Sequence, residues 1–384
     1  DRETNWHLRP TSFGPINLLV GVSGVGKSRT LQALNRVARC GVGLTSAPTN
    51  AQWKLRLNAS GRTFDWEVET GSAEEGTARF AIDSEFFAVV ESSSSARKTN
   101  FVAERLISQD GDIIASRNGD AVTLNNLPAL KLKETESLIS LFQKEERIAP
   151  LFENLSHVFA SSVAEFEFPY WPRRLVKQWQ KDITNLEQLR KAMRCPLIVR
   201  FDLLRTLAPG EFDAIISSFA EIFDTVKTVR VGWARELLNT NVDEDDDRLM
   251  VIIEEEGVNT PIRLPDLSSG MRRTLRHLVE LALAPSGSTI LIDEYENSLG
   301  VNCLPSITRH LLNRTRDIQL IATSHHPYVI NNIALEHWRV VARQGSEVEI
   351  VEAAAIPELQ TASRQEAFIR LMNSETYRHG VSNS

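Results

Sequence analysis

Gly21-Val22-Ser23-Gly24-Val25-Gly26-Lys27-Ser28 matches the pattern G-x-x-x-x-G-K-[ST] in full. Its surroundings decide what kind of fold carries it. Ile16 to Val20, just before it, is a short apolar run that reads as a buried strand. Arg29 to Val37, just after it, spaces Leu31, Leu34 and Val37 for one face of a helix. Strand, glycine-rich turn and helix together make an anion cradle. Glycines let backbone N–H groups turn toward phosphate oxygens, and the following helix offers its positive end to the same charge. Within this loop Gly21, Ser23, Gly24, Gly26, Lys27 and Ser28 are the candidate binding residues. Lys27 is placed for the β- and γ-phosphates, and Ser28 for a Mg²⁺ ion.

Outward from the loop, three further segments carry chemistry. Thr289 to Ile292 is an apolar strand that ends in Asp293-Glu294. It delivers one carboxylate (Asp293) suited to hold Mg²⁺ and a second (Glu294) suited to orient and polarise an attacking water. Leu267-Ser268-Ser269-Gly270-Met271-Arg272-Arg273 lies upstream of that strand. Ser268 and the Gly270 N–H fall at a helix start and can meet a γ-phosphate, although a serine opening an ordinary helix reads the same way. Ile321-Ala322-Thr323-Ser324-His325-His326-Pro327 ends a later strand and resembles a switch-histidine motif, which implies that His325 senses a γ-phosphate and that His326 is its neighbour.

The rest of the chain reads as follows. Gln52 to Leu57 and Phe64 to Glu69 alternate apolar and polar residues around Ser60-Gly61, which predicts a hairpin. Gly111 to Leu124 predicts another, turned at Asn118-Gly119. Residues 131 to about 193 take a helical pattern without a heptad of coiled-coil length, so a compact insertion is expected. Pro209 to Phe223 predicts a helix, and Val226 to Trp233 and Leu249 to Glu254 predict strands. The acidic run Asp243 to Asp247 between those strands reads as a solvated hairpin tip, with a metal role as the alternative. Strands alternating with helices imply a largely parallel sheet. Three divisions follow: 1–130 with the loop and hairpins, 131–225 as the mainly helical insertion, and 226–384 with the remaining motifs.

Bulk properties bound the alternatives. The 384 residues are 42% hydrophobic and 24% charged, with a formal net charge of −7, the composition of a soluble globular protein. No apolar run reaches membrane-spanning length, and the first residues lack the apolar core of a signal peptide. Cys40, Cys195 and Cys303 are scattered without a pairing or zinc pattern, which suits a reducing cytoplasm.

Four motifs in this order resemble the ABC-class ATPase heads of the SMC, RecF and OLD kind. The resemblance extends to bacterial AAA-annotated ATPases of anti-phage systems, including OLD-like and PtuA-like proteins. The 267–273 segment is similar to the ABC signature Leu-Ser-Gly-Gly-Gln, with Ser269 and Met271 as departures. Tyr295 to Gly300 occupies the position of the D-loop. The resemblance implies an α/β P-loop head with an antiparallel β subdomain and a helical insertion. It also implies ATP and Mg²⁺ as cofactors, and a homodimer or higher oligomer in which the phosphate loop of one copy faces the signature of the other. The catalytic pair it implies is Glu294 and His325. An effector partner, a nuclease, is expected as a separate chain, because the residues after His326 leave no room for a TOPRIM domain.

Several points stay open at this level. Gln143 is a candidate Q-loop residue or a surface glutamine. Trp6 either stacks on adenine or belongs to the core. Tyr170-Trp171-Pro172-Arg173-Arg174 with Lys177 and Lys181 is a basic, aromatic patch suited to nucleic acid or equally to a protein partner. The tail helix at Arg364 to Gly380 packs on the head or on a partner. A RecF- or SMC-like DNA-repair ATPase is the competing function. A transporter subunit is disfavoured by the long stretch between loop and signature, and a hexameric AAA+ motor by the signature and the histidine motif.

Overall fold

The computed structural model describes residues 6–72, 99–129, 131–161, 173–193, 195–239, 247–297, 299, 303–306, 308–309, 318–361, 363–374 and 377. Tyr170 to Pro172 of the basic, aromatic patch, Asp243 to Asp246 of the acidic run, and Ser298 and Gly300 of the D-loop position lie outside them.

The central layer is a seven-stranded sheet. In spatial order its strands are His7–Leu8, Glu347–Glu352, Trp338–Gln344, Ile16–Val20, Gln319–Thr323, Thr289–Ile292 and Val158–Ala160. Ile16–Val20 lies parallel to both of its neighbours, and the next two pairings toward Val158–Ala160 are parallel as well. Leu18, Leu19 and Val20 have no exposed surface. A strand buried on both faces reads as a continuous apolar run, and Ile-Asn-Leu-Leu-Val has that form. Its one polar residue, Asn17, is fully buried and satisfied: Nδ2 donates to the carbonyls of Gly14 and Leu320, and Oδ1 accepts from the Gly14 N–H. The α/β fold read from the motif order is therefore present.

A six-stranded antiparallel sheet runs from Gln52–Ala59 through Arg62–Thr70, Phe101–Ser108, Ile113–Asn118 and Ala121–Leu124 to Leu127–Pro128. Both expected hairpins are in it. Its inner face packs Phe64, Trp66, Val68 and Leu106 with residues of the helices Lys27–Gly41 and Ala149–Ser156. Glu104 is fully buried there and accepts hydrogen bonds from Trp66 Nε1, Ser137 Oγ and the Leu138 N–H. Burial raises its pKa, and those three donors pull it back down. Without them a buried carboxylate costs several kcal/mol.

The third layer is a three-stranded sheet, Val226–Trp233, Leu249–Glu255 and Ile262–Arg263. It shares a core with the helices Leu197–Leu207, Pro209–Ile222 and Ser269–Leu283. Asp247 is buried, where it pairs with Arg173 and accepts from the Arg235 N–H, so this end of the acidic run is not a solvated tip.

Among the described residues between 131 and 193, one segment departs from the helical reading. Val158–Ala160 is a strand at the edge of the main sheet, parallel to Thr289–Ile292. Three residues are too few to show a period of two, so only the pairing defines it. The tail helix Arg364–Asn373 buries Phe368 and Leu371 in the main core and leaves Ile369 and Met372 exposed. Among the described residues, no helix is long and apolar enough to cross a membrane. The three cysteines are buried thiols.

Candidate functional site at the strand ends

Parallel pairing brings three motifs to one edge of the sheet. Leu19 is in register with Thr323, and Ala322 with Ile292. The strands carrying the loop, the histidine motif and the carboxylates therefore end side by side. Such carboxyl ends are where ligands bind in open α/β sheets.

The loop leaves Ile16–Val20 at Gly21 and enters the helix Lys27–Gly41 at Gly26. Gly24 and Gly26 have φ of 85° and 104°, backbone positions that favour glycine. At Gly21 the limit is space, because a Cβ there meets the Val341 carbonyl oxygen at 2.5 Å. The Lys27 ammonium donates to the carbonyls of Gly21 at 2.8 Å and Val22 at 2.9 Å. Burial lowers the Lys27 pKa to about 8, although Asp293, Glu296 and Glu294 favour its charge. Ser23 and Gly24 are exposed on the loop.

Ser28 Oγ donates to Asp293 Oδ1 at 3.1 Å, and Thr323 Oγ1 donates to the same oxygen at 2.6 Å. Thr323 Oγ1 in turn accepts from the Glu294 N–H at 2.7 Å. Glu294 has φ of 45°, a left-handed conformation that costs a non-glycine residue about 1 kcal/mol or more. Its side chain is exposed, and Oε2 accepts from Asn297 Nδ2 at 3.1 Å. The His325 N–H donates to Glu296 Oε1 at 2.6 Å. Burial and the charge of Lys27 lower the His325 pKa, against the opposing pull of Glu296, Glu294 and Asp293. His326, its neighbour, is engaged elsewhere. Its Nδ1 accepts from the Tyr328 N–H and caps the helix Pro327–Asn332.

Ser268 is the N-cap of the helix Ser269–Leu283, its Oγ accepting from the Met271 N–H at 3.2 Å. Ser268 and Ser269 are exposed and Gly270 is half-buried. An N-cap serine and an anion-binding helix start are the same geometry, so the two readings of Ser268 do not compete. Trp6 is half-buried against the core cluster of Leu19, Val25 and Leu31, with the Arg29 guanidinium 5.1 Å from its ring. Gln143 is exposed and donates to the Ser140 carbonyl.

Thr323, Glu296 and Arg273 also face the candidate site residues, although no local sequence signal assigns their contacts. Thr323 stands inside the histidine motif, but its link to both carboxylate residues depends on strand pairing. Arg273 Nη2 donates to the carbonyls of Asp293 at 3.2 Å and Glu294 at 2.9 Å. Nothing local in the sequence assigns it that contact.

The donor set fits a hard divalent cation. One hydroxyl (Ser28) and one carboxylate (Asp293) converge, and no group of three or more His, Cys, Asp or Glu among the described residues makes a cage. Mg²⁺ is characteristically held by one or two protein ligands, with phosphate oxygens and water completing the octahedron.

No curated protein sequence matches the chain. Among solved structures it is similar to an Smc head bound to the C-winged helix domain of ScpA. The identity is 14%, with 88% of this chain and 91% of that one covered and a TM-score of 0.46. An Smc head domain with an extended coiled coil, bound to the C-terminal domain of ScpA derived from Pyrococcus furiosus, has 14% identity, 94% of each chain covered and a TM-score of 0.45. The SMC head domain from Thermotoga maritima has 13% identity, 89% and 92% covered, and a TM-score of 0.37. These likenesses are loose. A family profile described as "AAA domain, putative AbiEii toxin, Type IV TA system" matches residues 16–331. That span takes in the phosphate loop, the Asp293-Glu294 strand and the histidine strand, and the chain belongs to this AAA-domain family.

Proposed function

We propose that the protein binds and hydrolyses Mg-ATP at a site shared between two copies of the chain. The observation that carries this reading is the convergence of Lys27, Ser28, Asp293, Glu294 and His325 at adjoining strand ends. Lys27 neutralises phosphate charge, and its carbonyl partners at Gly21 and Val22 give way to phosphate oxygens. Ser28 and Asp293 would hold Mg²⁺, whose charge would offset that of the phosphates. Glu294 orients a water and takes its proton, work that contributes roughly 10²–10⁴-fold in rate. His325, its pKa lowered by burial and by the charge of Lys27, accepts or donates a hydrogen bond near the γ-phosphate. The exposed helix start at Ser268 and Gly270 meets the γ-phosphate bound to the other copy.

In this reading the ATP-clamped dimer, or a higher oligomer, is a sensor or scaffold in anti-phage defence that holds an effector, a nuclease encoded separately. The motif resemblance supports that role. The competing reading is a RecF- or SMC-like repair ATPase. The helix Arg173–Asp182 favours it by exposing Arg174, Lys177 and Lys181.

Glu294→Gln tests the core of the proposal. The variant is expected to retain ATP and to double in mass in solution with Mg-ATP. A parental rate of hydrolysis removes Glu294 as the base, and an ATP-independent monomer removes the shared site. Salt-sensitive DNA binding, lost on neutralising Arg174, Lys177 and Lys181, moves the assignment to repair.

A further inference from the structure

The helix that begins at Ser268 buries an unusual row of polar side chains. Arg273, Arg276, His277 and Glu280 are each less than a tenth exposed. Burying charges on a helix costs several kcal/mol before any pairing. Apolar residues at these positions serve packing alone at lower cost.

The row is a continuous chain of contacts. Arg273 Nη2 donates to the Asp293 and Glu294 carbonyls, and Arg273 Nε donates to His277 Nε2 at 3.4 Å. His277 Nδ1 lies 3.3 Å from Ser161 Oγ, and Ser161 Oγ donates to Glu280 Oε2. Arg276 donates to Glu280 Oε1 through Nε and Nη2. The Ser161 N–H donates to the Leu291 carbonyl on the strand that ends at Asp293. The helix is thus tied to the carboxylate strand at two heights: at Leu291 through Ser161, and at the Asp293-Glu294 peptide through Arg273. Glu294 sits at φ 45° at the upper tie. A strained residue holds its conformation only where neighbours over-determine it. Here the neighbours are Arg273 on its carbonyl and Thr323 on its N–H.

We propose that Arg273 is a positioning residue that couples the exposed start of this helix to Glu294 of the same chain. Ser268 and Arg273 are five residues apart, about 7.5 Å along the axis. A γ-phosphate docking on Ser268 and Gly270 from the other copy sets the helix, and Arg273 transmits that setting to the Glu294 backbone. Each nucleotide site of the dimer is thereby informed that its sister site is engaged. This inference rests on the shared ATP site proposed above.

The test compares the parent with Arg273→Met, Arg273→Gln and Arg273→Lys in the full chain, with ATP as ligand. For Arg273→Met the expected result is ATP affinity and KM within threefold of the parent. ATP-dependent dimerisation in a Glu294→Gln background is retained, and kcat falls 10- to 100-fold. Arg273→Lys, which keeps a cationic donor, recovers part of that loss. A kcat within twofold of the parent for Arg273→Met overturns the inference. So does joint loss of ATP binding, dimerisation and thermal stability in all three variants, which marks Arg273 as a packing residue only. An inactive parent, or a Glu294→Gln variant as active as the parent, instead removes the underlying ATPase reading.

Discussion

Ser28 Oγ and Asp293 Oδ1, 265 residues apart in sequence, lie 3.1 Å from each other. One belongs to the first turn of the helix after the phosphate loop, the other to the end of a strand two places away in the sheet. Their pairing follows from the parallel register of the strands, and in the proposed reading these two groups would hold the divalent cation.

Asp293→Asn removes the charge and keeps the shape. Its affinity for ATP is expected to become nearly independent of Mg²⁺, whereas the parent binds ATP at least tenfold more tightly with Mg²⁺ than with EDTA. Titration of a fluorescent ATP analogue under both conditions checks this. An unchanged Mg²⁺ dependence in the variant places the cation elsewhere.

Lys27 gives a pH dependence with a definite sign. Its pKa is lowered to about 8, so the ammonium predominates at pH 7 and is lost as pH rises through 8. ATP affinity is expected to fall about tenfold between pH 7 and pH 9. Lys27→Ala should bind weakly at every pH with no such slope. Calorimetric titration at pH 7, 8 and 9 distinguishes the two profiles.

Glu294 occupies a backbone region that suits glycine and asparagine and penalises β-branched residues. Glu294→Gly and Glu294→Asn are expected to unfold in urea at or above the parental midpoint, and Glu294→Val about 1–2 kcal/mol below it. All three should lose turnover. Equal midpoints for glycine and valine contradict the left-handed geometry.

Glu280 and His277 set an acid limit to stability. Burial raises the Glu280 pKa, but Arg276 and His277 outweigh it and bring the group down to about 2. A carboxylate with a depressed folded pKa contributes fully above its unfolded value, about 4.3, and loses that contribution as pH falls toward 2. Burial lowers His277 below its usual value, so the folded chain takes up its proton late and stability declines as pH falls through about 6.5. Glu280→Gln leaves Arg276 without its carboxylate partner and is expected to cost about 3–5 kcal/mol at pH 7. The gap to the parent should narrow below pH 4. Urea unfolding at pH 7, 5 and 3.5 measures it.

The legible parts of the molecule share one property: the reason for each is local. The hairpin at Ser60-Gly61 declares itself by alternation, and Ile16–Val20 by an unbroken apolar run. Gly24 and Gly26 declare a loop that only glycine follows easily. The opposite cases depend on distant partners. Val158–Ala160 is a strand because Thr289–Ile292 lies beside it. Asp247 is buried beside Arg173, a partner 74 residues earlier in the chain.

The sequence by itself determined the inventory of the candidate site: the loop, the two carboxylates, the histidine and the order that places each at a strand or helix end. Those follow from residue type and spacing over a few positions. Only the tertiary structure decided that Thr323 clamps Asp293 and Glu294, that Glu294 is held left-handed, and that Arg273 reaches the same peptide from another helix. These are contacts between segments tens of residues apart, and their geometry is set by sheet register and helix packing.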